Sequence, residues 1–418
     1  MIAIFPLTYY YHIFSHFLDS SSPKYDLVFV EMFFYDCLIA FPHHLNAPFI
    51  GMVSQYGVPW ASDLVGNPSV YSFVPNFSAP YGQRMNFMER FYNTIFSVGM
   101  KLIRRFYFMT KQNEVAMKYF GAEMPPLWEI ERNISLIFHN GHPAVTPFYP
   151  SMPNLVDVAG MHILAKPPPL PQDLSNIMES NKKVVLFCLG SIIESSSIEE
   201  ERLIVILKAL KEVPYKVVWR WDGDIDKLPI PLPSNVHASK WLPQQSLLAH
   251  HNLACFVTHG GLLSLQETTY HGVPVVGFPF YGDQGLNIKH ATDMGIGLSL
   301  KFFTFTKDEL INSINEVIEN PRYKKNAVKM SKIFRDQLET SLERGVYWTE
   351  YVIRHNGAPH LRSAAVDLWW FQYYLIDVIA FALLLAFISI FIFCTIVKFV
   401  YKFICKKSHK SRKRLKRE

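Results

Sequence analysis

Apolar and polar residues follow one another along this chain in two kinds of block. Short, nearly unbroken apolar runs predict buried strands at Tyr25–Glu31, Phe49–Val53, Ser135–Phe138, Val184–Leu189, Lys216–Trp221, Ala254–Val257, Val273–Phe278 and Gly297–Leu300, with another short one starting at Val236. Between them, apolar residues three to five apart predict helices at Phe33–Phe41, Met85–Phe120, Ile198–Leu210, Lys307–Glu319 and Pro321–Glu343. Strands of this kind alternating with helices predict an α/β class with parallel sheets covered on both faces. In Met85–Phe120 the spacing of Phe87, Phe91, Ile95, Met100, Ile103 and Phe106 predicts a long helix packed on the body by its apolar face. A membrane-facing or substrate-facing helix is the other reading.

The polar stretches divide the chain. Asp19–Pro23 (DSSSP) is a turn, and Gly57–Arg84 is a long surface loop of the kind that often carries binding. The run Lys166–Pro171 (KPPPLP) cannot continue a helix or a central strand and marks the main boundary. The expected domains are 1–165, a linker over 166–180, a second domain over 181–345 and a membrane-proximal segment over 346–375. The stretch from Val378 to Val397 then runs without a charge or a proline, long enough to span a hydrocarbon core. Trp369, Trp370, Tyr373 and Tyr374 precede it as interfacial anchors, so a transmembrane helix is expected at 376–398. The basic tail at 399–418 then places the C-terminus in the cytoplasm and the body on the other side.

Composition adds limits. The chain has 418 residues, 50% of them hydrophobic, which suits two folded domains plus a membrane segment. Its net charge is +6, but the stretch from Lys398 onward carries about +9 of it and leaves the body slightly acidic. A nucleic-acid partner is therefore not indicated. The five cysteines form no C-x-x-C pair, the histidines have no zinc spacing, and no metal site is expected. Asn76-Phe77-Ser78 and Asn133-Ile134-Ser135 match the glycosylation pattern.

The chemistry is concentrated between Trp241 and Asn287. There an apolar run ends on Thr258-His259-Gly260-Gly261, a helix-like segment carries Glu267, and a second run leads to Gly282-Asp283-Gln284. Strand, glycine turn and helix in this order hold a phosphate-bearing ligand at the carboxyl edge of a parallel sheet. Each residue alone has a plainer reading: His259 as a turn residue, Glu267 as a solvated helix position, Asp283 as a helix cap and Trp241 as core.

In their order, WLPQ, LLAH, FVTHGG, Glu267, HGVP and GDQ closely resemble the signature of the animal, membrane-anchored UDP-glycosyltransferases. YDLVFVE, PNLVDVAGMHI, the LGS at Leu189–Ser191, WRWDGD and the lysine-rich end extend the resemblance over most of the chain, with an invertebrate-like loop at ASDLVGNPSVYSFVPN. The resemblance implies two Rossmann-like domains of GT-B type, the first lacking its opening strands, followed by the single transmembrane helix. It implies transfer of a hexose, glucose before glucuronate, from a UDP-sugar to a hydroxyl of a small lipophilic acceptor with inversion. No tightly bound cofactor is implied. His259 and the backbone from Gly260 and Gly261 would hold the diphosphate, with Ser191 as a further donor. Trp241 would stack on uracil, Gln244 and Glu267 would meet the ribose, and Asp283 and Gln284 would hold the sugar.

The family's general base is a histidine in the first βα turn, which has no counterpart here; His12 and His16 are not in its G-H context. Its acidic partner corresponds to Glu31, with Asp36 as second candidate. The alternative function is therefore a non-catalytic, membrane-anchored UDP-sugar-binding or partner subunit, and association with a second copy or another subunit stays open. Many vertebrate members have Asn where Leu263 stands. The tail, with Arg414 and Lys416 near its end, resembles a retrieval signal, so residence in the endoplasmic reticulum membrane is expected.

Overall fold

The computed structural model describes residues 24–191 and 193–414, with side chains described as far as residue 404. The expected turn at Asp19–Pro23, His12, His16 and Lys416 lie outside them. The chain forms two units, one ending at Arg362 and one beginning at Ser363.

The first unit contains two parallel sheets. Strands β1 (Val28–Glu31), β2 (Phe49–Val53), β3 (Leu136–His139) and β4 (Leu155–Asp157) lie side by side in chain order. The second sheet contains β5 (Val184–Cys188), β6 (Lys216–Arg220), β7 (Val236–Ser239), β8 (Leu253–Thr258), β9 (Val275–Gly277) and β10 (Gly297–Ser299). Its order is β10-β9-β8-β5-β6-β7, and every pairing is parallel. The chain runs outward from β5 in one direction and restarts at β8 in the other. A crevice opens between β5 and β8 where the order reverses.

Alternation along the strands sends side chains to two separate cores. Val185 and Phe187 of β5 join Val217, Trp219, Cys255 and Val257 on one face, while Val184, Leu186 and Cys188 join Val218, Phe256 and Val275 on the other. The helices of this unit that bear on the site and its packing are α1 (Phe87–Ile103), α2 (Met109–Phe120), α3 (Gln172–Ser180), α4 (Glu200–Glu212), α5 (Gln244–Leu248), α6 (Leu262–His271), α7 (Gln284–Asp293), α8 (Lys307–Glu319), α9 (Pro321–Arg335) and α10 (Ser341–Arg354). Helices α4 and α8 cover the first face through Leu203, Ile206, Leu210, Leu310 and Ile314. Helices α3, α6, α7 and α9 cover the second.

Several boundaries differ from the sequence reading. The residues expected as linker over 166–180 include α3, whose Leu174 and Met178 are buried in the second sheet's core. The single helix expected at Pro321–Glu343 is broken at Asp336–Thr340, where Thr340 starts α10 with a capping box to Glu343. The expected boundary at 345 falls inside α10. Its Val352 is buried with Ile50, Leu136, Phe138 and Val156 of the first sheet, so the chain returns to the first lobe. Asn76 is only 2% exposed and donates from Nδ2 to Ser97 Oγ at 3.0 Å, so its glycosylation pattern is masked by the fold, whereas Asn133 is exposed.

The long helix departs most from expectation. Helices α1 and α2 are joined by a π turn at Arg104–Phe108. The residues that α1 and the π turn bury are polar, namely Asn93, Ser97 and Arg104, whereas α2 buries Gln112 beside the apolar Met109 and Ala116. Arg104 lies 2.6 Å from Asp36 Oδ1 and 2.6 Å from Glu131 Oε2. Burial would drive this guanidinium toward neutrality, but the Glu131 and Asp36 carboxylates reverse that and hold it charged. The apolar face of α1 points outward.

In the second unit, α11 (Ile376–Arg414) contains a stretch from Ile376 to Ile404 long and apolar enough to cross a membrane, with none of its apolar window buried in the protein. The helix continues beyond the expected limit of 398.

Replacing Arg104 by alanine leaves two carboxylates buried without their cation. Denaturant unfolding of the full chain in detergent is expected to show a loss of about 3–5 kcal/mol, whereas removal of the exposed Lys111–Glu114 pair should cost under about 1 kcal/mol.

Candidate functional site

The crevice between β5 and β8 is built from two turns. β5 runs into Leu189-Gly190-Ser191, and β8 runs into His259-Gly260-Gly261, from which α6 begins. The His259 ring lies against the backbone of both. A Cβ on Gly190 would stand 2.5 Å from His259 Cε1, and one on Gly261 would stand 2.7 Å from His259 Nε2. Gly190 also has φ +84°, a conformation that disfavours any side chain. Only glycine at these positions lets the imidazole sit in the crevice.

Burial pushes the His259 pKa down to about 4, so the ring is neutral at physiological pH. Its Nδ1 is buried with no hydrogen-bond partner. A buried polar atom left unpaired is costly; a Cβ on Gly190 would stand 3.0 Å from it, so it lies beside the turn that follows β5. Helix α6 has Gly261 as N-cap and no side-chain cap, so its first amide groups remain available to an anion. Leu263 is 48% exposed in the first turn and supplies no polar group of its own.

Beside this turn is a cavity of 410 Å³ lined by Ser191, Arg220, Trp241, Gln244, Ser264 and Glu267, among others. Trp241 is 73% exposed, which rules out its reading as core, and the Arg220 guanidinium lies 6.0 Å from its ring centre. Arg220 also donates to the Gly190 carbonyl, tying β6 to the β5 turn. Glu267 is buried; Gln244 Nε2 donates to its Oε2 at 2.7 Å and to Ser264 Oγ at 3.1 Å. Its other oxygen lies 3.4 Å from Gln245 Nε2 and 3.4 Å from His162 Nε2. The geometry at His162 does not make a hydrogen bond, since that nitrogen is otherwise unpartnered. Glu267 is thus a held carboxylate in the cavity wall, not a solvated helix residue.

Asp283 and Gln284 open α7. Gln284 Oε1 accepts from the amides of Phe280 and Tyr281 at 2.8 and 3.2 Å, which commits that oxygen to shaping the turn. Asp283 makes no side-chain cap bond; its Oδ2 accepts from Asn287 Nδ2 at 2.8 Å, and burial raises its pKa. Asn287 also donates to the Gly260 carbonyl at 3.0 Å, so one amide fixes the α7 turn against the α6 turn.

In the first lobe, Glu31 ends β1, accepts from Ser54 Oγ at 3.2 Å and has its pKa raised by burial. Asp36 is not available to a ligand: it is fully buried and bonded to Arg104 and Gln112. His139, which no sequence pattern singled out beyond its place at the end of an apolar run, lies 2.7 Å from Tyr149 Oη and 3.1 Å from Asp157 Oδ1 through Nδ1. Arg220, Asn287 and Gln266 were also missed, because each acts across the fold and has no local signature. Gln266 on α6 donates to Asn140 Oδ1 at 2.7 Å and accepts from the Gly160 amide at 3.0 Å, joining the lobes beside Glu267.

A family described as UDP-glucoronosyl and UDP-glucosyl transferase matches residues 15–411. The chain belongs to this family. Among its relatives, the UDP-glycosyltransferase UGT5 of Dactylopius coccus is 37% identical over 93% of this chain and 73% of its own length. The UDP-glucuronosyltransferase 2B7 of Homo sapiens is 34% identical over 93% of this chain and 73% of its own. Among solved structures, a UDP-glucose:anthocyanidin 3-O-glucosyltransferase in complex with UDP superposes with a TM-score of 0.53 at 17% identity, covering 78% of this chain and 75% of that one. The spinosyn forosaminyltransferase SpnP superposes with a TM-score of 0.55 at 17% identity, covering 79% and 76%. At that identity the likeness is one of fold, the two-lobed GT-B arrangement expected from the sequence. This member of the family thus has its crevice at the carboxyl edge of a parallel sheet.

Two outcomes test the crevice. Gly190→Ala should displace the His259 ring and raise the Kd for UDP, by calorimetry, at least about tenfold, or about 1.4 kcal/mol, with the circular dichroism spectrum retained; an unchanged Kd would remove His259 from the site. Because folded His259 titrates at about 4 and an exposed histidine at 6.5, its contribution to stability is present above pH 6.5 and is lost as pH falls toward 4. The thermal midpoint of His259→Gln should therefore fall less steeply across that window than that of the natural chain.

Proposed function

We propose that this chain transfers a hexose from a UDP-hexose to a hydroxyl of a small lipophilic acceptor, inverting the anomeric carbon. The observation that carries the reading is His259, a neutral imidazole with an unpaired buried Nδ1 where the strand order reverses. With the α6 amides and Ser191 it would hold the diphosphate, and these donors would stabilise the charge that grows on UDP as the sugar–oxygen bond breaks. The exposed Trp241 ring would stack on uracil, and the Gln244–Glu267 pair would exchange its internal bond for bonds to the ribose hydroxyls. Asp283 and the Gln284 amide would bind the sugar hydroxyls. A carboxylate at that end would repel a second one, which supports glucose over glucuronate.

Acceptor activation would place a base beside Glu31, the acceptor proton passing to it as oxygen attacks the anomeric carbon. Among the described residues Glu31 hydrogen-bonds Ser54 and no histidine. That observation favours keeping the second reading, a membrane-anchored subunit that binds UDP-sugar without turning it over. In either case the Ile376–Ile404 helix would cross the endoplasmic reticulum membrane once, with the body in the lumen and the basic tail in the cytoplasm.

The two readings separate in one assay. The full chain, given UDP-glucose and a panel of phenols and steroids, should release UDP, and UDP-glucuronate should serve less well. UDP binding without release from any acceptor would select the subunit reading. His259→Ala should weaken UDP binding by about tenfold or more in both cases.

A further inference from the structure

The Glu267 carboxylate is approached from the first lobe as well as from its own. The segment that follows β4 is fastened to the second lobe by two glutamines. Gln266 of α6 accepts from the Gly160 amide at 3.0 Å. Gln245 of α5 accepts from the Leu164 amide at 2.9 Å and donates to the His162 carbonyl at 3.2 Å. The same Gln245 side chain reaches Glu267 Oε1 at 3.4 Å. These bonds bring the His162 ring up to Glu267, with Nε2 3.4 Å from Oε1. That nitrogen is buried and has no hydrogen-bond partner, a costly arrangement that a partner would relieve. Further along the same segment, Leu164 and Pro168 line the cavity together with Trp241, Gln244 and Glu267.

We propose that His162 is a positioning residue of the donor site: it takes up a proton from solvent as a UDP-sugar binds and pairs with Glu267, so that the first lobe secures the ribose end. The inference rests on reading the cavity as the UDP-sugar site. In that reading the ribose hydroxyls displace Gln244 from Glu267, and the carboxylate is shut off from water among neutral donors only. A buried carboxylate so placed favours a cation within reach, and the arriving diphosphate adds negative charge. Among the described residues His162 is the basic group within ion-pair distance of Glu267. Glu267 also acts on His271 in the last turn of α6 and on Cys188 at the end of β5. Burial lowers the His271 pKa; Glu267 offsets this in part, and Arg335 of α9 adds to it. Burial raises the Cys188 pKa, so that thiol already carries its proton at neutral pH. The proton therefore goes to His162. An imidazolium bonded to Glu267 ties Gly160–Leu164 to α6 by charge as well as through Gln245 and Gln266, and a loaded donor site holds the two lobes together.

The test is calorimetric titration of the full chain in detergent with UDP-glucose, whose phosphates do not titrate near neutral pH, in buffers of different ionisation enthalpy. Binding at about pH 7.5 is expected to take up about half a proton, and the Kd to rise about threefold per pH unit above about pH 7. His162→Gln should abolish the uptake, flatten the pH dependence and raise the Kd at about pH 7 at least about fivefold, with its thermal midpoint kept. His271→Gln should keep the uptake. A histidine with a structural role alone would change the Kd without changing the proton count. Binding without uptake in the natural chain, or uptake that persists in His162→Gln, overturns the proposal and leaves the UDP-sugar reading of the cavity standing. A natural chain that does not bind UDP-glucose removes both.

Discussion

The arrangement of the site depends on one steric fact: an imidazole ring is pressed between two backbone segments that can approach it only because neither carries a Cβ. Gly190 closes the turn after β5 and Gly261 opens α6, and His259 fills the space between them. This contact sets the distance between the two central strand ends, leaves the α6 amides uncapped, and desolvates His259 enough to keep it neutral. A protonated ring would attract phosphate more strongly but would cost far more to bury. In the proposed reading, a neutral donor beside a helix N-terminus would offer an anion site without that cost.

The cavity beside the ring is held by bonds that reach across the sheet and between the lobes. Arg220 ties β6 to the Gly190 carbonyl, Asn287 ties α7 to the Gly260 carbonyl, and Gln266 reaches Asn140 and Gly160 in the first lobe. Helix α10 adds to this, since Ser341 Oγ donates to the Ala159 carbonyl at 2.6 Å and Val352 is buried against the first sheet. Glu267 is thus oriented by Gln244 and Gln245 before any ligand arrives, which reduces the ordering cost on binding.

The first lobe follows a different economy. Its helix α1, with the π turn after it, is anchored by hydrogen bonds and by the Arg104 ion cluster instead of by an apolar stripe. Such anchoring is expensive to bury and fixes orientation well. The orientation it fixes turns the aromatic side outward.

The sequence by itself determined the class of fold and the two glycine turns that meet at the crevice. Apolar runs ending on Gly190-Ser191 and His259-Gly260-Gly261 are local signals, because strand burial and glycine turns depend on neighbours in the chain. Periodicity also found α1, but not which side of it faces in. That was decided by Asn76, Asp36 and Glu131, which lie far away in sequence and meet it only in the folded chain. The roles of Arg220, Gln266 and Asn287, the loss of Asp36 as a candidate, and the return of α10 to the first sheet were likewise settled by tertiary contact. A hydrogen bond or ion pair between distant residues leaves no period in the sequence, while the burial of a strand does.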